Sequence, residues 1–163
     1  MQPTAPIAQP HHPIGSAQSV ALREIDRLLA KYAESHRDPV NERIYFVCVP
    51  VIVFTLLGLF WALHPFVAVA ASVAALGYYV RLSKAFAAGM LLMAGAKLGV
   101  LAALPAPLVL LLSVAAFLLA WIGQFIGHKI EGRKPSFFDD LRFLLIGPLF
   151  VLGFLYRRLN IAY

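Results

Sequence analysis

The sequence predicts an all-α protein of the polytopic membrane class: a helical bundle with four spans, a kinked fifth segment and an N-terminal amphipathic interfacial helix. The first observation is composition, since 61% of the 163 residues are hydrophobic and only 13% are charged. A soluble domain of this size has too little interior to hide that much apolar surface, whereas a lipid-exposed protein has no such limit. The second is that charges are confined to short segments between long apolar runs. The third is that prolines mark tight connections between consecutive runs.

The formal net charge of +6 fits the same class. Basic residues in short connectors are typical of membrane orientation and of contact with anionic headgroups. No basic patch with interleaved aromatic residues occurs in the sequence, so nucleic acid is not an expected partner. The single cysteine, Cys48, excludes an internal disulfide.

The chain is predicted to consist of a tail and one membrane domain. Residues 1–18 are rich in Pro, Gln, Ala and His without apolar periodicity, so this tail is expected to be disordered. Residues 19–163 form the membrane domain.

This domain opens with SVALREIDRLLAKYAESH, which predicts an amphipathic helix. Its apolar residues recur at spacings of three and four, at Leu22, Ile25, Leu29 and Tyr32. Its basic residues lie four apart on another face, at Arg23, Arg27 and Lys31. Like charges at that spacing disfavour an isolated helix, and phospholipid headgroups would relieve the repulsion. The helix is therefore expected on the membrane surface, with a simple solvated face as the alternative.

Four apolar runs follow that are predicted to span, at 45–63, 66–80, 85–104 and 108–127. The second is short, but its terminal tyrosines and arginine can extend it through the interface. The others approach the 20 residues that cross about 30 Å of hydrocarbon. The last run, 141–156, has Gly147-Pro148 at its middle. It is compatible with a kinked span, a re-entrant hairpin or an interfacial helix.

Orientation follows from lysine and arginine. The connectors at 64–65 and 105–107 carry no charge, whereas the other connectors are basic. Four spans with the N-terminus in the cytoplasm place every basic segment on the cytoplasmic side. The sequence therefore predicts an integral membrane protein whose N-terminus and site face the cytoplasm, in the bacterial inner membrane or, in a eukaryote, the endoplasmic reticulum.

This topology brings two polar segments, SHRDPVNERIY and GQFIGHKIEGRKP, to one interface. His36 and His128 can then meet, although they are distant in sequence. Gln124, His128 and Glu131 are spaced four and three, so a continuing helix places them on one face. Two imidazoles and one carboxylate with open positions suit non-haem Fe(II). Gln124 and Asn41 would orient these ligands. The alternative is that a histidine at a helix end simply contacts water or a headgroup.

Two further polar residues compete for a role. His64 lies in a turn on the opposite side and is interpreted as a loop residue. Lys97 lies within the third span, where a charge costs roughly 2.5–3.5 kcal/mol. It is expected to face the bundle interior and could contact a substrate carboxylate or a helix-end carbonyl.

At these residues the sequence resembles a known family. YAESHRDPVNERIYFVCVPVIVFTLLGLFW and AWIGQFIGHKIEGRKPSFFDDLRFLLIGPLF are similar to segments of the Mpo-like membrane family of Fe(II)-dependent 2-hydroxy fatty acid dioxygenases, and the resemblance runs from about Leu22 to the C-terminus. It implies α-oxidation, the removal of one carbon, with iron held by histidines of both segments. His36 and Asn41 match the first pattern, but Tyr45 stands where the family has a second histidine. Gln124, His128 and Glu131 match the second.

The resemblance implies a membrane-embedded dioxygenase acting on a lipid-soluble 2-hydroxy fatty acid. The acid would chelate iron, O2 would take an open position, and the tail would lie among the spans. The substrate carboxylate could be steadied by Arg37, Arg133 or Lys134. Three roles stay open for Tyr45: no part in binding metal, contact with oxidised iron or bound oxygen, or a mark of lost activity. The alternative function is a non-catalytic lipid-binding or assembly protein with a vestigial site.

Overall fold

A computed structural model describes residues 23–33, 38–132 and 144–162. These residues form helices only, which confirms the predicted fold class. The six helices are α1 Glu24–Ala33, α2 Pro39–Leu63, α3 Pro65–Leu82, α4 Lys84–Ala103, α5 Ala106–Ile130 and α6 Ile146–Arg158. The tail 1–18 lies outside the described residues, so its predicted disorder stays a prediction.

The four central helices have the length and apolar character to cross a membrane. They contain 25, 18, 20 and 25 residues, and only 17–28% of the most apolar window of each is buried inside the bundle. The remaining apolar surface faces outward along α3, α4 and α5. Helices satisfy their own backbone groups, so lipid is the medium that can cover this surface. By length and composition, these four helices are therefore compatible with an integral membrane protein.

The first span begins earlier than its apolar run suggests. Asp38 caps α2, and its side chain accepts hydrogen bonds from the N–H groups of Val40 at 2.7 Å and Asn41 at 3.2 Å. Pro39 occupies the first helical position, where its missing N–H costs nothing. Because the helix starts at Pro39, Pro50 lies in its interior.

Short capped connections join consecutive spans. His64 lies between α2 and α3, and its Nδ1 accepts a hydrogen bond from Phe66 N–H. Ser83 lies between α3 and α4 and caps the latter. Such short connections make neighbouring helices antiparallel. The start of α2, the end of α3, the start of α4 and the end of α5 therefore share one end of the bundle. We name this the site end and define it by Asp38, Ser83 and Glu131; His64 lies at the other end, as predicted.

The most extensive pairing of helices is between α2 and α5. Two glycines of α5 allow it. A Cβ at Gly123 would lie 2.6 Å from Cys48 Sγ, and one at Gly127 would overlap Asn41 Oδ1. Small residues spaced four apart let two membrane helices approach closely.

The last segment is a short helix that packs into the site end. With 13 residues, α6 is about 20 Å long, less than the hydrocarbon thickness. Eight of these residues are buried, so α6 is part of the core. Pro148 lies in its first turn rather than at its middle, and proline in a first turn interrupts no helical hydrogen bond. The helix α6 is therefore too short for a full span. Pro148 does not break it because this proline lies in the first turn.

The predicted amphipathic helix is present as α1. Its apolar residues Ile25, Leu29 and Tyr32 are buried in the same core cluster as Leu149 and Phe150 of α6. The apolar stripe expected to face the membrane surface is thus covered by protein, because α6 offers a complementary apolar face. The basic residues of α1 remain exposed.

Candidate functional site

The two predicted polar segments contact each other at the site end. Glu131 Oε2 accepts a hydrogen bond from Asn41 Nδ2 at 2.8 Å and another from Asp38 N–H at 3.0 Å. Glu131 is the residue that caps the end of α5, and Asp38 is the residue that caps the start of α2. One carboxylate oxygen therefore links the two helix termini, and the predicted meeting of the segments is confirmed for their described parts.

Asn41 occupies the centre of this link. It is only 1% exposed and lies in the first turn of α2, where capping by Asp38 fixes its backbone. Its Oδ1 lies against Gly127, while its Nδ2 donates to Glu131. A buried amide held on both sides has one orientation. Asn41, which the sequence predicts to orient the metal ligands, therefore contacts one of the predicted ligands, Glu131.

A small cavity lies beside this link, between α2 and α5. Its volume is about 40 Å³, which leaves room for about three water-sized groups. Its aromatic and polar lining residues are Tyr32, Tyr45, Trp121, Gln124 and His128. Tyr45, Gln124 and His128 are predicted site residues from two distant segments, and the fold brings them to one cavity. We name this the polar cavity.

The helical spacing of α5 explains part of this arrangement. Gln124 and His128 are four apart and face the polar cavity together, as their spacing predicts. Gln124 is buried and His128 is partly exposed. The helix ends at Ile130, and Glu131 belongs to the contact with α2 described above. Glu131 is not one of the described residues that line the polar cavity.

Tyr45 is fixed by aromatic packing. It is 4% exposed, and its ring centroid lies 5.3 Å from that of Tyr32 and 6.3 Å from that of Phe150. Its hydroxyl approaches Gly147 of α6, where an added Cβ would overlap it. Tyr45 thus joins α2 to α1 and α6 while lining the polar cavity. A tyrosine suits this contact because the ring fills apolar space and the hydroxyl reaches the last helix.

The donor groups fit an iron site only in part. Within 23–33, 38–132 and 144–162, no three or more His, Cys, Asp or Glu side chains come together in a way that could hold a metal. His128 supplies an imidazole to the polar cavity, and Glu131 supplies a nearby carboxylate. The other predicted ligand and carboxylate-binding residues, His36, Arg37, Arg133 and Lys134, lie outside the described residues.

A second and larger cavity lies between α2, α3, α4 and the start of α6. Its volume is about 170 Å³, and its lining is mostly apolar. Lys97 is one of its lining residues. Leu144 lines both cavities. We name this second space the apolar cavity.

Sequence reasoning missed several residues of the site. Asp38 carries a recognisable signal, since an acidic residue before a helix-initiating proline is a preferred cap. Gly123 and Gly127 carry another, the spacing of two glycines four apart in an apolar run. Trp121 and Leu144 line the polar cavity without any local signal, because their contribution depends on which helices become neighbours.

Comparison with known protein families identifies a match over most of the chain. A family model described as 2-hydroxy-palmitic acid dioxygenase Mpo1-like matches residues 22–159. No curated protein and no solved structure matches the chain. The matched range includes both segments that meet at the site end.

Proposed function

The chain belongs to the Mpo1-like family, and on that premise we propose that it is a membrane-embedded Fe(II)-dependent dioxygenase. Its substrate is a 2-hydroxy fatty acid, from which it removes one carbon with O2. One observation carries the proposal beyond the family name. Tyr45, Gln124 and His128 line one cavity at the point where the two segments of the family resemblance are joined by Glu131.

His128 and His36 hold the iron in this proposal, with Glu131 as the carboxylate. His128 already lines the polar cavity. His36 precedes Asp38 by two residues, and two residues of chain reach at most about 7 Å. Because Asp38 N–H bonds to Glu131, the chain leading to His36 leaves directly from the link between the helices. Bound Fe(II) would supply the activation of O2 towards the 2-hydroxy acid.

The residues of the chain bind and orient the reactants. Gln124 presents an amide to the polar cavity from one turn before His128, and an amide can both donate and accept hydrogen bonds. Tyr45 lines the polar cavity with a ring held by packing and excludes water from the side facing α6. Arg37, Arg133 or Lys134 would bind the substrate carboxylate, since guanidinium and ammonium groups form charge-assisted hydrogen bonds to it.

Lys97 contacts a different part of the substrate. It lies 13 residues into α4, whereas His128 lies two residues before the end of α5. At 1.5 Å per residue these depths are about 20 Å and about 3 Å from the site end. A substrate whose head group lies at His128 would therefore meet Lys97 with its tail.

The proposed site faces the cytoplasm. Four of the five lysines and arginines of the spans lie at the site end, at Arg43, Arg81, Lys84 and Lys129, and the fifth, Lys97, lies within α4. The connections at the other end carry no lysine or arginine. This asymmetry supports a cytoplasmic site end, in the bacterial inner membrane or the endoplasmic reticulum membrane.

The test measures metal and product together. Protein purified without a histidine tag is loaded with Fe(II) anaerobically and exposed to air with a 2-hydroxy fatty acid. We expect near-stoichiometric iron and an acid one carbon shorter. The variant His128→Ala should lose both. The matched control His64→Asn, at the exposed cap of α3, should lose neither. Iron-loaded protein that forms no shortened acid would contradict the proposal.

A second candidate function has its own observation. Glu131 Oε2 already accepts two hydrogen bonds from the chain, and Tyr45 replaces a family histidine with a packing residue. Both features suit a non-catalytic protein that binds lipid or assists assembly through the same fold. Absence of iron from the purified protein, together with retained lipid binding, would favour it.

A further inference from the structure

The apolar cavity is lined by about two turns of each of two helices, α2 and α4. On α2 it is lined by Val53, Leu56, Leu57 and Phe60, and on α4 by Met90, Met93, Ala94 and Lys97. In each set the residues lie on one face of the helix, because they are three or four positions apart. The first and last residues of each set are seven positions apart, which corresponds to about 10 Å along the helix. A mostly apolar space lined by side chains of several helices suits an alkyl chain.

The apolar cavity begins next to the polar cavity. Leu144 lines both, and the adjacent residues Ile52 and Val53 line one each. The residue after Leu144 is tied to α3, since Tyr79 donates a hydrogen bond of 3.0 Å to the carbonyl of Leu145. Leu144 is therefore shared by the cavity that His128 lines and by the apolar cavity.

We propose that the apolar cavity holds the acyl tail of the substrate whose head group lies at His128, and that Lys97 limits the length of that tail. This inference rests on the proposed function and adds to it the determinants of chain length. Each methylene buried in the cavity should strengthen binding about fourfold. Lys97 is the residue of α4 that lines the cavity farthest from the site end. A longer tail would bring methylene groups against its ammonium group, and an apolar contact with a charged group is unfavourable.

Matched bulky substitutions test the cavity. Ala94→Phe and Ala75→Phe place a ring into it from α4 and α3. Ala96→Phe and Ala74→Phe place the same ring on exposed positions of the same helices and serve as controls. With 2-hydroxypalmitic and 2-hydroxyoctanoic acids as substrates, we expect the first pair to lower kcat/KM for the longer acid at least tenfold and to spare the shorter one. The control pair should leave both unchanged.

The variant Lys97→Met tests the limit on length. Methionine keeps the volume of the lysine stem and removes the charge. We expect its kcat/KM to shift in favour of acids longer than the wild-type optimum. An unchanged chain-length profile would overturn the role of Lys97.

A binding measurement separates this inference from the proposed activity. A 2-hydroxy fatty acid with a photoreactive group near its methyl end is crosslinked to wild-type protein in phospholipid vesicles, and the labelled residues are mapped. Labelling of the apolar cavity that unlabelled 2-hydroxypalmitic acid competes away, and that Ala94→Phe abolishes, supports the inference even in protein without turnover. Labelling confined to exposed residues, or competed only by phospholipid, would overturn it even in an active enzyme.

Discussion

Asn41 and Glu131 are joined by a hydrogen bond of 2.8 Å between Nδ2 and Oε2, across 90 positions of sequence. This bond fixes the start of the first span against the end of the fourth. It also places the polar cavity, because Tyr45 lies one turn beyond Asn41 and His128 lies one turn before Glu131.

The Asn41–Glu131 contact is expected to stabilise the fold. A hydrogen bond to a charged group contributes about 1.5–3 kcal/mol, so Asn41→Ala should lower the free energy of unfolding by that amount. In a double-mutant cycle with Glu131→Ala, unfolding in detergent micelles should give a coupling energy of about 1–2 kcal/mol. The exposed residue Arg43, on the same helix, provides the control: Arg43→Ala should change stability by less than about 0.5 kcal/mol. Additive effects of the two substitutions would contradict the contact.

The close approach of α2 and α5 predicts a cost for added methyl groups. Gly123→Ala would bring Cβ to 2.6 Å from Cys48 Sγ. Overpacking of this kind costs about 1–3 kcal/mol, measured as loss of unfolding free energy in detergent. Gly95, on α4, faces open space with nothing within 4 Å of an added Cβ. Gly95→Ala should be neutral or gain up to about 1 kcal/mol from helix propensity. Equal effects at the two glycines would show that no close interface exists at Gly123.

The contact between Tyr45 and Gly147 predicts a rescue. Gly147→Ala should displace α6, because the new methyl group overlaps the Tyr45 hydroxyl. Tyr45→Phe removes that oxygen, so the double variant should regain stability lost by Gly147→Ala alone. Thermal unfolding of the two single variants and the double variant measures this. If Gly147→Ala costs the same in both backgrounds, the Tyr45 hydroxyl does not face Gly147.

A tyrosine of α6 holds this helix to α4. Tyr156 donates a hydrogen bond of 2.8 Å from its hydroxyl to the carbonyl of Ala85, and its ring stacks on Phe86 at 5.4 Å. Tyr156→Phe keeps the ring contact and loses the bond, at a cost of about 0.5–1.5 kcal/mol. Amide hydrogen exchange should accelerate in α6 more than in α5. Tyr78→Phe keeps the ring contact of Tyr78 with Tyr79 and should leave α6 exchange unchanged. A uniform acceleration in all helices would argue against local docking of α6.

The spacing of residues in α5 shows what local pattern can predict. Gln124 and His128 were expected on one face and do line one cavity, because both lie inside a regular helix. The same helical spacing predicted that Glu131 would share this face. The helix ends at Ile130, however, and the Glu131 carboxylate accepts hydrogen bonds from Asp38 and Asn41. A helical period holds only as far as the helix continues, and the partner of a terminal residue is a neighbour in space.

The sequence by itself determined the fold class, the number of helices long and apolar enough to span, and the end of the bundle where the two polar segments meet. Length, apolar content and the placement of basic residues decide these, because each reflects the free energy of transfer between water and lipid, which is nearly independent of the neighbouring helices. Only the tertiary structure decided that α2 pairs with α5, that α6 covers α1, and that two cavities meet at Leu144. These features depend on how glycines, rings and hydrogen-bonding groups fit across helices, and such complementarity is a property of pairs of surfaces that no single segment contains.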